Sequence, residues 1–304
     1  MEQRRIGDSD LFSSCIGFGT WDMSATTYGN IDVKETSTVV NTAIDCGITL
    51  FDTAEVYGPY YSEELLSKVL GNKRKEIVLV SKVGFQYDDY GKNLGRNSKY
   101  DHVIERAEGC LRRMKTDFLD LLLIHWPDYE TPFEETMGAL EKLKKDGKIR
   151  YYGVSNFTIE MMNECEIYGH LTANQVGYNL FDRRMEAKVL GYCLDNNIGF
   201  MAYGTLAFGL LSGASTFESM FEGDWSHTGL AFELPPFQGK ELDKELKVVE
   251  RLTEIARRYD KSVAQLAIAW TLGHPAVSVS LVEIRNQSEL EEDDLFFSFF
   301  FLFS

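Results

Sequence analysis

Four side chains of the kinds that move protons stand at or just past the ends of short apolar runs: Asp52 and Tyr57 in FDTAEVYG, Lys82 in LVSKVG and His125 in LLIHWPD. A phenol with a pKa near 10 is a poor proton donor and acceptor at neutral pH unless a neighbouring cation stabilises its phenolate. Lys82 can be that cation. Asp52, paired with it, would fix the ammonium and keep it charged, while His125 could hydrogen-bond an oxygen beside the phenol. Each residue also has an ordinary use. Asp52 could cap a loop or helix, Lys82 could reach water past its apolar stem, His125 could be a satisfied core histidine, and Tyr57 could merely cover its neighbours. Four such coincidences are harder to accept than one shared site.

A tuned phenol beside an imidazole suits the protonation of a carbonyl oxygen as electron density arrives at its carbon, which is what hydride transfer needs. No side chain can deliver a hydride, so a nicotinamide must share the site. Ser155 and Asn156 in GVSNF and Gln175 in NQVGYN offer the donors and acceptors that a carboxamide requires, and Tyr203 in MAYG offers a flat face for the ring. Trp21, Tyr28, Trp126 and Trp225 are aromatic candidates for a pocket wall, with Trp21 and Trp126 singled out for substrate binding.

These residues are far apart in sequence, so the fold must gather them. Short β-rich runs (IGFGT, ITLFDTA, EIVLVSK, LDLLLIH, IRYYGVS, ANQVGYN, IGFMAYG and VSVSLV) alternate with helical patterns. The run Leu119 to Ile124 is almost continuously apolar, which marks a strand covered on both faces. Phe133, Met137, Leu140 and Leu143 share one helical face before Gly147, and so do Leu242, Leu246, Val249, Leu252 and Ala256. Ser262 can cap SVAQLAIAWTLG. Eight such units predict an α/β fold, a closed (β/α)8 barrel occupying residues 1–304 as one unit, with the candidate residues converging at the C-terminal mouth. The connection from Gly204 to about Lys240, which carries GDWSHTGLAFELPPFQG, has the length of a lid or binding loop.

Composition narrows the partners. The 304 residues carry a formal charge of -16, which argues against nucleic acid or an anionic membrane surface. Five scattered cysteines with no C-x-x-C pair read as buried thiols of a reducing compartment, and MEQRRIGDSD lacks the apolar core of a signal peptide, so the cytoplasm is expected. The five histidines form no H-x-H or H-E-x-x-H cluster, and no metal is expected. The tail Leu295 to Ser304, LFFSFFFLFS, is aromatic but about half the length of a membrane span.

From IGFGTW to about Val282 the chain resembles an aldo-keto reductase, with FDTAEVYG, LVSKVG, LLIHWPD, KIRYYGVSNF, NQVGYN and AYGTLAFGLLSG in the family's order. Its wording is closest to the bacterial and plant branches that act on small aldehydes and sugars. The resemblance implies that Asp52, Tyr57, Lys82 and His125 are a catalytic tetrad, with Tyr57 the general acid that protonates a bound aldehyde or ketone. It also implies that Ser155, Asn156 and Gln175 hold the carboxamide, Tyr203 stacks on the nicotinamide, and Leu206 and Gly209 line the pyrophosphate channel. Arg285 fits the basic residue near a 2'-phosphate, which leans the cofactor toward NADP (NADPH) over NAD.

Departures from the family pattern concentrate near the C-terminus. Thr205 replaces a proline, a change expected to alter loop stiffness more than contacts. In LVEIRNQSELEEDD, Glu283 and Ile284 stand where glycine and alanine are usual, and Glu289 and Asp293 take the amide positions. A glutamate would repel a phosphate and a β-branched residue cannot adopt glycine's positive φ, so weaker cofactor binding is expected. Arg285 could instead pair with Glu283 or Glu289. Two other readings stay open at this point: a cofactor-sensing regulatory subunit of the channel β-subunit type, and a reductase weakened by this altered segment and by the aromatic tail.

Overall fold

The computed structural model describes residues 1–24, 31–88, 92–213 and 239–294. Most of the long connection after Gly213, including Trp225, lies outside the described residues, as do Tyr28 and the 295–304 tail.

The strands are β1 (Gln3–Arg5), β2 (Phe12–Ser14), β3 (Ile16–Gly19), β4 (Leu50–Asp52), β5 (Val78–Val83), β6 (Phe85–Tyr87), β7 (Asn93–Arg96), β8 (Leu119–Ile124), β9 (Ile149–Ser155), β10 (Ala173–Gly177), β11 (Gly199–Tyr203) and β12 (Val277–Glu283). Eight of them close a barrel in the order β10-β11-β12-β3-β4-β5-β8-β9, every pairing parallel. These are the eight runs expected from the sequence. The α-helices are α1 (Val33–Asp45), α2 (Tyr61–Leu70), α3 (Tyr100–Met114), α4 (Phe133–Lys145), α5 (Ile159–Cys165), α6 (Val189–Asp195), α7 (Gly239–Arg257), α8 (Val263–Leu272) and α9 (Gln287–Asp294), with short 3-10 turns between some of the elements.

Two hydrophobic layers follow from the strand pattern. Inside the barrel, Leu50, Val80, Leu121, Leu123, Met201, Val279 and Leu281 form a packed core. Outside, the opposite faces of the same strands meet the helices, with Phe51, Leu122, Ile124 and Phe200 against residues such as Met137, Leu140 and Leu143. Fully burying one such side chain contributes roughly 1.5–3 kcal/mol. The Ser262 cap of α8 is a complete capping box with Gln265. Leu246 of α7 is the exception to its expected face, being exposed while Leu242, Val249 and Leu252 pack inward.

Two hairpins lie beyond the eight-unit pattern. The β1–β2 hairpin plugs the N-terminal end of the barrel, inserting Ile6 and Leu11 into the interior core. Its turn passes so close to the strand ends that a β-carbon on Gly7, where φ is +57°, would lie 2.4 Å from the Thr172 carbonyl oxygen. The β6–β7 hairpin stands at the opposite end, beside the mouth. Four of the five cysteines are buried and Cys46 is half-exposed; no disulfide joins them among the described residues.

Candidate active site

Register places the acids and the lysine. Gly19, Asp52 and Val80 are neighbours across β3, β4 and β5, and Lys82 lies two residues beyond Val80 on the same face. Lys82 and Asp52 are therefore both directed into the barrel, where the lysine is fully buried. Its Nζ donates to Asp52 Oδ1, to the Thr53 carbonyl at 3.0 Å and to Tyr57 Oη at 3.0 Å. The other Asp52 oxygen accepts from Gln175 Nε2 at 2.8 Å. Tyr57 reaches this point from the turn after β4, which also bears Glu55. That carboxylate is buried and accepts from the amides of Gly84 (3.2 Å) and Phe85 (3.3 Å) and from Arg106 Nε (2.6 Å).

Burial governs the protonation states. It lowers Lys82 and raises Asp52, with the attraction between them opposing both shifts. Tyr57 is pushed well above its ordinary value by burial and then by the carboxylates of Asp52 and Glu283. His125 is pushed well below its ordinary value by burial and then by Lys82, so its imidazole is neutral. Its ring stands edge-on to Tyr57, centroids 5.8 Å apart, and its Nδ1 has no hydrogen-bond partner among the described residues. The phenol is thus a proton carrier beside an ammonium, and the phenolate is the form that needs the cation.

A cavity of about 530 Å3 opens above this group, within the range of small-molecule sites. Asp52, Tyr57 and His125 line it with Ser155, Asn156, Gln175 and Tyr203. Asn156 sits at φ +63°, donates to the His125 carbonyl at 3.1 Å and accepts from Tyr203 Oη at 2.9 Å. Ser155 Oγ donates to the Gln175 carbonyl at 2.8 Å. Leu206, Gly209 and Arg285 line another part of the wall, as do Trp21 and Trp126. The thirteen residues given catalytic, cofactor or substrate roles from the sequence therefore converge: twelve line the cavity, and Lys82 lies beneath it against Asp52 and Tyr57, while Tyr28 and Trp225 lie outside the described residues.

Several lining residues were not singled out. Phe85, Asn93 and Arg96 arrive on the β6–β7 hairpin, where Arg96 lies 4.9 Å over the Trp126 ring. Asp22 follows Trp21 directly, and an acid beside a candidate aromatic was the signal available.

Two expectations about the departures change. Neither Glu283 nor Ile284 has a positive φ, so backbone strain does not arise there; Ile284 is buried and only the charge of Glu283 remains as a penalty. Thr205 does alter contacts, because its buried hydroxyl lies 2.9 Å from Ser280 Oγ and 3.1 Å from the Leu281 carbonyl, tying the end of β11 to β12. Arg285 pairs with Glu289, Nη2 to Oε1 at 2.7 Å.

A nicotinamide dinucleotide would meet two different walls here. Amide and hydroxyl groups flank Tyr57 and suit a carboxamide, with Tyr203 beside them, whereas the part near Arg285 adds Asp22, Glu283 and Glu289. By its chemistry the cavity would suit the neutral end and would meet the anionic end with carboxylates.

A parallel eight-stranded barrel with this cluster at its C-terminal mouth is compatible with a barrel oxidoreductase. The chain belongs to the aldo/keto reductase family, whose pattern it matches over residues 15–299. It is 39% identical over 294 residues to the aldo-keto reductase YhdN of Bacillus subtilis, covering 96% of this chain and 87% of that one. It is 30% identical over 286 residues to the NADH-specific methylglyoxal reductase of Escherichia coli, covering 90% and 86% respectively. The glycerol dehydrogenase structure from Gluconobacter oxydans superposes with a TM-score of 0.85 at 32% identity, over 96% of this chain and 89% of that one. Fold and family together make this protein an oxidoreductase that reduces carbonyl groups with a nicotinamide cofactor.

Proposed function

We propose that the protein reduces small aldehydes, ketones or sugars to alcohols with NADPH, and that Tyr57 is the general acid. The observation that carries this reading is the placement of Lys82 Nζ between Asp52 and Tyr57 Oη, 3.0 Å from the phenol, at the floor of the cavity. A bound nicotinamide would supply the hydride. As Tyr57 gives its proton to the substrate oxygen, the developing phenolate faces the Lys82 ammonium, an interaction stronger in the transition state than before it. Asp52, itself held by Gln175, and the Thr53 carbonyl keep that ammonium in place, and the neutral His125 orients the same oxygen. Trp21 and Trp126 supply apolar walls for the substrate.

For the cofactor, Ser155, Asn156 and Gln175 would hold the carboxamide and Tyr203 would stack on the ring, with Leu206 and Gly209 lining the channel for the phosphates. Arg285 supports NADPH over NADH, because a guanidinium can hold a phosphate bidentately. Its exposed pairing with Glu289 contributes only about 0.3–0.5 kcal/mol, so a phosphate can replace that carboxylate at little cost. The NADH-specific relative makes a comparison of the two cofactors essential. We also take residues 1–304 as one barrel unit, and five cysteines without a disulfide among the described residues support a cytoplasmic location. A regulatory, non-catalytic role is less favoured, since the named relatives are enzymes.

The test is a titration with NADPH and NADH followed by an aldehyde panel. Tyr57→Phe is expected to lower the reduction rate by about 10²- to 10⁴-fold while cofactor binding stays within a few-fold. A variant retaining most of its rate would remove Tyr57 from its role.

A further inference from the structure

Two carboxylates in the cavity take part in no step above. Asp22 is only 7% exposed, lines the cavity, and has no hydrogen-bond partner for either oxygen among the described residues. The Met23 amide favours its ionised form slightly without making a hydrogen bond of ordinary geometry. Glu283 ends β12 and is paired in register with Gly19, which is paired in turn with Asp52. Gly19 leaves room for the glutamate: a β-carbon there would stand 3.0 Å from Glu283 Oε1. The Glu283 carboxylate consequently leans across β3 into the cavity that Asp52 and Tyr57 share.

The charged groups facing this pair come from every adjoining element. Asp52 ends β4, Tyr57 lies in the turn beyond it, Lys82 is on β5, Arg285 follows β12, and Glu289 is on α9. Both cations are already engaged, Lys82 with Asp52 and Arg285 with Glu289. His125 and Arg96 line the cavity as well, the first neutral and the second over Trp126.

We propose that Asp22 and Glu283 set the charge selectivity of the cavity, which admits an anionic dinucleotide only with uptake of a proton onto this pair. The proposal rests on the reading of the cavity as a nicotinamide site. A dinucleotide with its carboxamide at Ser155 and Asn156 and a phosphate at Arg285 shares the cavity with both acids. Its negative charge disfavours their ionised forms further. Burial already pushes the Glu283 carboxyl up to about 7 and Asp22 well above the usual carboxylate range, so little more is needed to hold the proton. Above neutral pH the free protein has lost the Glu283 proton and must regain it on binding. Affinity therefore falls as pH rises, by up to about tenfold per pH unit for one coupled carboxylate.

Calorimetric titration of the full chain at about pH 8, in two buffers of different ionisation enthalpy, counts the protons taken up. Approximately one proton is expected with NADPH and also with NADH, which lacks the 2'-phosphate and so cannot supply that titration itself. Glu283→Gln is expected to cut the uptake and to tighten binding by about tenfold at that pH, with Asp22→Asn as the second variant and circular dichroism confirming that each is folded. Binding without proton uptake, or uptake unchanged in both folded variants, overturns the inference and leaves the nicotinamide reading standing. Absence of binding by either cofactor at any pH overturns both.

Discussion

Lys82 is the residue on which the site turns, since a fully buried ammonium persists only where its hydrogen bonds are met. Asp52, the Thr53 carbonyl and Tyr57 meet all three. The shifts around it define a pH profile. Tyr57, raised well above its ordinary value, keeps its proton through the neutral range, and His125, lowered well below its own, does not charge there. Lys82, lowered by burial, is the group whose charge is lost first as pH rises. With cofactor and substrate saturating, kcat for reduction is expected to be flat from about pH 6 to 8 and to fall on the alkaline side. A steep rise across that interval in a pH–rate series would show that another group controls the step. Asp52, Tyr57 and Lys82 were legible in the sequence because each end-of-strand position was occupied by a group of unusual chemistry. Asp22 was not, since its lack of partners exists only in three dimensions.

At the scale of elements, strand ends place the polar groups and the segments beyond them set their angles. The Tyr57 turn is held by Glu55, which bridges two backbone amides after β5 and the Arg106 guanidinium on α3. Glu55→Ala would leave Arg106, only 15% exposed at its side chain, without that partner. A loss of about 3 kcal/mol in urea denaturation is expected, together with a lower kcat from a looser Tyr57. Unchanged stability would show that the bridge is dispensable. The eight barrel strands were readable because each sits in a bounded apolar run. The β1–β2 and β6–β7 hairpins were not: their strands, QRR, FSS, FQY and NLGR, are largely polar and carry no such run. Leu246 shows the converse limit, for helical spacing names a face without showing how much of it a neighbour covers.

For the whole molecule, the acidic balance has a consequence for stability. Glu283 carries a folded pKa of about 7 against an ordinary value of 4.5. Between those values the folded state binds the proton more tightly than the unfolded chain, so stability falls as pH rises through the window and the full penalty is present above it. Below 4.5 both states hold the proton and the penalty vanishes. Glu283→Gln is expected to stabilise the protein by roughly 1–3 kcal/mol near pH 8 and to change little near pH 4, read from melting curves at both pH values. Equal gains at both would point to packing as the cause. A group that costs stability while lining a functional cavity is a recurrent pattern where activity and stability compete.

The eight barrel strands and the polar residues at their ends were legible in the amino-acid sequence alone, because hydrophobic periodicity and strand-end position are properties of local spacing; Leu206, Gly209 and Arg285 came from the family resemblance, and Asp22, Phe85, Asn93 and Arg96 only from the fold. Tertiary structure alone decided which charges oppose one another. Asp22 stands without a hydrogen-bond partner among the described residues, Thr205 reaches β12, and Glu283 crosses Gly19 toward Asp52. Electrostatic interaction depends on distance through space and on burial, and neither can be read from separation along the chain.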